Sequence, residues 1–148
     1  MLTRNRCDTL KVLLVEDSIS FRTVIKNALL SQFPSMEVIE AGSGEEALKR
    51  LGSHPVDLAF MDIGLPGQNG LEVTKRIKAD YPGPPIAILT SYDSLEYREA
   101  AIRCGASCFI SKNSFKWEEI LTLVGCFQKA KLDGRLKPTC VRLEGGEI

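Results

Sequence analysis

Several side chains far apart in the sequence could act together: the acid pair Glu16-Asp17, the aspartate Asp62, the hydroxyl of Thr90 and the amine of Lys112. Each sits at or just past the end of a short apolar run, namely Lys11 to Val15, Asp57 to Asp62, Pro85 to Thr90 and Ser107 to Ser111. Parallel α/β sheets bind ligands beyond the carboxyl ends of their strands, so a sheet built from these runs would gather the groups at one rim. Three carboxylates brought close repel one another and raise one another's pKa. A hard divalent cation and a nearby ammonium are what can stabilise such a cluster. Magnesium suits it, because it binds through one or two carboxylates, keeps several waters and shares phosphate oxygens. A pocket holding Mg2+, a lysine, a hydroxyl and one carboxylate nucleophile is suited to phosphoryl transfer onto that carboxylate.

The residue types divide the labour. Asp62, in the middle of the pocket, is the nucleophile toward phosphorus. Glu16, Asp17 and Asp62 are the expected Mg2+ ligands, with the backbone carbonyl of Gly64 as a further one. Lys112 and the cation offset charge on the transferred oxygens, and Thr90 donates its hydroxyl to the group once it is in place.

The elements that must position them follow from periodicity. Short apolar runs alternate with stretches of helical period, the second run being Glu37 to Ala41. Phe21, Val24, Ile25, Ala28 and Leu29 line one face of the first helix, with Ser18 as its cap and Pro34 past its end. Ala47, Leu48 and Leu51 mark the second helix, Leu71 and Ile77 the third, and Ser94 to Cys104 the fourth. Trp117, Ile120, Leu121, Val124 and Phe127 form the stripe of the fifth. Nearly continuous apolar strands suit a sheet covered on both faces. The expected fold is therefore α/β, a doubly wound five-stranded parallel sheet with helices on both sides. In the strand order 2-1-3-4-5 the first and third strands are neighbours, which brings the three carboxylates into one pocket.

Bulk properties narrow the function. The chain of 148 residues carries 19 basic and 19 acidic side chains, shows no concentrated basic face, and gives no support for direct nucleic-acid binding. No segment reaches the length of a membrane span, and the apolar run Val12 to Val15 is too short for a secretion signal, so a cytoplasmic location is expected. Cys7, Cys104, Cys108, Cys126 and Cys140 lack zinc-site spacing and are expected to be reduced, small apolar residues. His54, alone beside Pro55, is given no role. The expected organisation is an N-terminal extension over 1–10, one domain over 11–131 and a loosely ordered tail over 132–148.

Four segments in order resemble the response-regulator receiver family: Val12-Leu13-Leu14-Val15-Glu16-Asp17-Ser18, Met61-Asp62-Ile63-Gly64-Leu65-Pro66-Gly67 with Gly70, Leu89-Thr90-Ser91, and Gly105 to Lys112. The resemblance implies a flavodoxin-like fold and the roles given above, with a phosphohistidine on a sensor histidine kinase or histidine phosphotransfer protein as donor. It implies a phosphoacceptor switch that slowly loses its phosphate, rather than an enzyme turning over a substrate, and it allows dimerisation on phosphorylation. Phe109 matches the family's switch aromatic, which turns inward with the threonine and couples the site to the face of helix four, strand five and helix five. One departure stands out: Asn113 follows Lys112 where the family usually has a cis proline. A non-proline cis bond costs ~2.5–4 kcal/mol, so a trans bond and a reshaped loop are expected.

Other readings of the same residues are weaker. Asp17 alone would be an ordinary helix cap. Gly42-Ser43-Gly44-Glu45-Glu46-Ala47 fits G-x-G-x-x-A, but Glu45 and Glu46 would repel a pyrophosphate at that helix start. Haloacid-dehalogenase-like phosphatases need a second aspartate where Gly64 stands, and a flavin- or nucleotide-binding domain finds no support in the loops. A constitutive pseudo-receiver, with the fold but no phosphoryl chemistry, rests on Asn113 alone.

Overall fold

A computed structural model describes residues 9–80 and 83–133. The expectations for the N-terminal extension through Asp8, for the tail beyond Asp133, and for Cys7 and Cys140 lie outside the described residues.

Among the described residues, five strands and five helices alternate: β1 (Lys11–Val15), α1 (Ile19–Gln32), β2 (Glu37–Ala41), α2 (Gly44–Ser53), β3 (Leu58–Met61), α3 (Gly70–Asp80), β4 (Ile86–Thr90), α4 (Leu95–Arg103), β5 (Cys108–Ser111) and α5 (Trp117–Leu132). All strand pairs are parallel and the order is β2-β1-β3-β4-β5, as expected for a doubly wound sheet. The third run contributes only Leu58–Met61 to the ladder, which leaves Asp57 and Asp62 flanking β3.

Alternation along the strands creates two cores. Val12 and Leu14 face one way with Leu58, Phe60, Leu89 and Ile110, and pack against Ile25 and Leu29 of α1 and Ile120, Val124 and Phe127 of α5. Leu13 and Val15 face the other way with Ala59, Met61, Ile88 and Phe109, and meet Ala47 of α2, Val73 and Ile77 of α3 and Ala101 of α4. Successive side chains of a strand point to opposite faces, so strands buried on both sides must be apolar throughout. Leu10, just before β1, belongs to the first core.

Local signals set the helix starts. Ser18 accepts the amide of Phe21, Ser43 that of Glu46, and Ser94 that of Tyr97. Glu46 reaches back to the amide of Gly42 at 2.8 Å, so the G-x-G-x-x-A stretch is a closed helix cap. Asn69 caps α3 by accepting the amides of Leu71 and Glu72.

Three expectations need correction. Val24 is 50% exposed, because α1 rests on the sheet through the narrower row of Ile25 and Leu29. Trp117, at the first turn of α5, lies at the edge of the apolar stripe against Phe115, and Leu123 fills the buried row instead. Cys104 and Cys126 are free thiols, but Cys108 is disulfide-bonded. It opens the edge strand β5 half-buried, packed against the first core. Among the described residues, no helix is long and apolar enough to cross a membrane.

Phe60 is a large, fully buried side chain on the central strand β3. Its replacement by alanine is expected to cost ~3–5 kcal/mol in chemical denaturation. A loss below about 1 kcal/mol would contradict the packing described.

Candidate functional site

The rim at the carboxyl ends of β1, β3, β4 and β5 carries the site. Backbone pairing runs one residue past each strand: the amide of Glu16 donates to Ala41 at 2.9 Å, that of Asp62 to Val15 at 3.1 Å, and that of Lys112 to Thr90 at 2.8 Å. Glu16, Asp62 and Lys112 are therefore held by the ladder although they lie just outside it, and Thr90 is its last member in β4.

Glu16 and Asp62 are buried and Asp17 is exposed, and one carboxylate oxygen from each lies within 4.8 Å of the others. The Lys112 ammonium donates to Glu16 Oε1 at 2.5 Å and to Asp62 Oδ2 at 3.1 Å. Three carboxylates, two of them buried, face one ammonium, so the acids outnumber the cation bonded to them. Burial is the main cause that pushes the Glu16 carboxyl above its ordinary range; the Lys112 and Ser18 hydrogen bonds oppose it, and the Asp62 charge adds to it. Burial alone would lower the Lys112 pKa, but the hydrogen bond to Glu16 and the charge of Asp62 outweigh it and hold the value up. Lys112 is thus a fixed cation, and the acids still lack a matching positive charge.

That charge balance and the all-oxygen donor set fit a hard divalent ion such as Mg2+. Glu16, Asp17 and Asp62 are the carboxylates that could hold it. Gly64 follows in the loop after Asp62, and its amide donates to Asp62 Oδ1 at 3.3 Å. The ring of Tyr92 covers Gly64 so closely that a Cβ there would sit 2.5 Å from it.

Thr90 is fully buried, and its Oγ1 accepts the amide of Tyr92 at 3.2 Å. Phe109 is already inside the second core, and the Arg98 guanidinium lies 4.9 Å from its ring centre. Asn113 has the expected trans bond, as no cis peptide occurs among the described residues. Its side-chain amide donates to the Ser91 carbonyl and to Asp93 Oδ2, both at 3.1 Å.

Other contributors were not read from the sequence. Phe21 of α1 lies beneath Lys112, with Nζ 4.4 Å from the ring centre, and helps fix the amine. Arg22 donates to the Glu16 carbonyl at 2.5 Å and to Glu40 Oε1 at 2.9 Å, and Lys26 bonds the other oxygen of Glu40. A glutamate at the fourth place of β2, between Ile39 and Ala41, was the available signal for this clamp. Gly70 is required by close approach: a Cβ there would fall on the carbonyl oxygen of Asp62.

The comparisons agree with this geometry. The model of the Response regulator receiver domain family matches residues 12–124. Over 108 residues the chain is 38% identical to a protein-glutamate methylesterase/protein-glutamine glutaminase of Geobacillus kaustophilus, covering 72% of this chain and 31% of that protein. A response regulator receiver domain protein of Methanospirillum hungatei superposes with a TM-score of 0.75 at 25% identity, covering 85% of this chain and 98% of the other. The N-terminal domain of an uncharacterized protein of Wolinella succinogenes gives 0.77 at 31%, covering 86% and 100%. The chain spans only 31%, 26% and 49% of the lengths of three curated relatives that it matches.

Two outcomes are expected. Gly70→Ala should displace the Asp62 backbone, costing more than about 2 kcal/mol in urea unfolding and weakening Mg2+ binding; unchanged values in both would refute the close approach. The Glu40 carboxyl is held below its ordinary 4.5, chiefly by Lys26 and then by Arg22. Because the folded value is the lower one, this stabilisation is present above the ordinary value and is lost as pH falls through the folded one. Glu40→Gln should flatten that part of the acid limb in urea melts, and an identical limb would show that the clamp carries no linkage.

Proposed function

The chain belongs to the response regulator receiver domain family of two-component signalling, and on that premise we propose that Asp62 accepts a phosphoryl group from a phosphohistidine. The donor would stand on a sensor histidine kinase or a histidine phosphotransfer protein. The observation that carries this reading is the cluster of Glu16, Asp17 and Asp62 with Lys112 bonded to two of its members.

In the transfer, an Asp62 carboxylate oxygen forms the bond to phosphorus as the donor's N–P bond breaks. Bound Mg2+ would supply charge neutralisation and alignment of the phosphoryl oxygens. Lys112 is charged and fixed by Glu16 and Phe21, so it can offset developing charge without reorganising. The Thr90 hydroxyl accepts from Tyr92 and so keeps its own proton to donate to a phosphoryl oxygen. The Asp62 acyl phosphate would then hydrolyse slowly, which makes the reaction self-limiting.

Occupancy would be read out through α4, β5 and α5, as partner binding or as dimerisation. Leu95 and Ile102 of α4 are 66% and 63% exposed, which gives that face apolar contact points. Phe109 already points inward, so its part in the switch would be a change in its packing with Arg98 and not a turn from solvent into the core. The setting proposed is the cytoplasm, where such donors act. The alternative of a constitutive interaction module loses support from the assembled acids and amine.

Incubation with Mg2+ and acetyl phosphate should add one hydroxylamine- and alkali-labile phosphate per chain, and Asp62→Ala should add none. Equal incorporation by the variant would sink the assignment. Failure of the wild type to bind Mg2+ at millimolar concentration would favour the constitutive module instead.

A further inference from the structure

Asn113 occupies the place that the proposed chemistry leaves unexplained. The β4–β5 ladder ends with the Lys112 amide donating to Thr90. One residue further on, the Asn113 side chain donates to the carbonyl of Ser91, the residue after Thr90. A side-chain amide thus adds a rung where the backbone ladder has ended. The same amide donates to Asp93 Oδ2, which also accepts Ser111 Oγ at 2.6 Å. Ser111 Oγ in turn accepts the backbone amide of Asn113 at 3.0 Å. These bonds hold the Asp93 carboxyl below its ordinary range, the Ser111 hydroxyl first and Asn113 second.

The network reaches two further elements. Arg98 of α4 donates through Nε to the Asp93 carbonyl at 3.1 Å while its guanidinium lies over Phe109. Asp93 therefore contacts the residue after Lys112 through its side chain and the Phe109 cover through its backbone. Residues 91–93 sit between the Thr90 strand end and α4, so their position decides where the Thr90 backbone can go.

We propose that Asn113 and Asp93 are positioning residues that hold the Thr90 loop and the Lys112 loop at one fixed separation, preorganising the phosphoryl subsite. The inference rests on the phosphoacceptor reading and names the part of this chain that takes the place of the family's proline. Neither residue touches the phosphoryl group. They act on the hydroxyl of Thr90 and the amine of Lys112, which must meet the same anion. Preorganised donors act without reorganising when the anion arrives, and a loosened pair would have to be ordered at that moment.

Beryllofluoride, formed from beryllium and fluoride salts with Mg2+, serves as the probe, with binding followed by fluorine NMR. Asn113→Ala and Asp93→Ala should each weaken beryllofluoride binding roughly ten-fold, the scale of losing a hydrogen bond to a charged group. The Mg2+ affinity measured alone should stay unchanged, because the acid cluster is untouched. Asp93→Asn keeps an acceptor for Ser111 and Asn113 and should recover most of the loss. The double variant should be no weaker than the worse single one, as for residues of one network. Wild-type affinity in both alanine variants would overturn the proposal, as would an equal loss of Mg2+ affinity, which marks general disruption. If the wild-type protein itself takes no beryllofluoride, the phosphoacceptor reading fails, and that result is distinct from failure of the tether.

Discussion

The Lys112 ammonium, shared between Glu16 and Asp62, is the interaction on which the arrangement of the rim depends. Two buried carboxylates in hydrogen-bond reach of one amine would separate or take up a proton if the amine were removed, because charge in a poorly hydrated site is costly unless paired. The ammonium satisfies one acid in full but cannot satisfy the cluster. Burial, and after it the charge of Asp62, still pushes the Glu16 carboxyl upward despite the bond to Lys112. A structure that keeps such an imbalance is poised for a further cation and for an incoming anion whose charge the cation and Lys112 can share.

Rigidity under the site comes from the sheet. Glu16, Asp62 and Lys112 each stand one place beyond a strand and give their amides to the neighbouring strand, while Thr90 is the last residue of β4 itself. The strand ends therefore fix the main chain while leaving the side chains free to face the rim. Beyond them, sequence-local devices take over: Ser18 starts α1 directly after the acid pair, and the absent side chain of Gly70 lets α3 begin against the Asp62 carbonyl. Both devices are short-range, so the catalytic spacing does not depend on long loops.

How much of this was legible in the sequence depended on whether a residue acts through its type or through its contacts. Strand-end acids, a threonine and a lysine announce themselves, because few side chains can do their chemistry, and apolar runs with helical stretches between them pointed to a parallel α/β sheet, whose strand order rested on the family resemblance. Contacts made by commonplace residues gave no such signal. Arg22 and Lys26 carry no signal in the sequence, and their role shows only with Glu40 of β2 bonded to both. Phe21 read as core, yet it also supports the amine. Val24 has the right spacing for the buried face of α1, but a helix lying on a twisted sheet buries a narrower stripe than periodicity suggests. Cys108 was indistinguishable from a buried thiol, since a disulfide depends on a partner distant in sequence.

A site this well fixed must still move if occupancy is to be read elsewhere, and the groups free to move are few. Thr90 is fully buried and its hydroxyl accepts the Tyr92 amide, so a shift of that hydroxyl would break this contact or carry residues 91–93 with it. Those residues are held on one side by the Asn113 amide and on the other by Arg98. The first contact leads back to Lys112 and the second leads to Phe109 and the outer surface of α4. Any displacement of the threonine is therefore divided between stiffening its own site and repacking the aromatic. On the proposed reading, a stronger hold at Asn113 would favour capture of the anion at the expense of transmission, and a stronger hold at Arg98 would do the reverse. The loop after β4 is where the two demands on this protein meet.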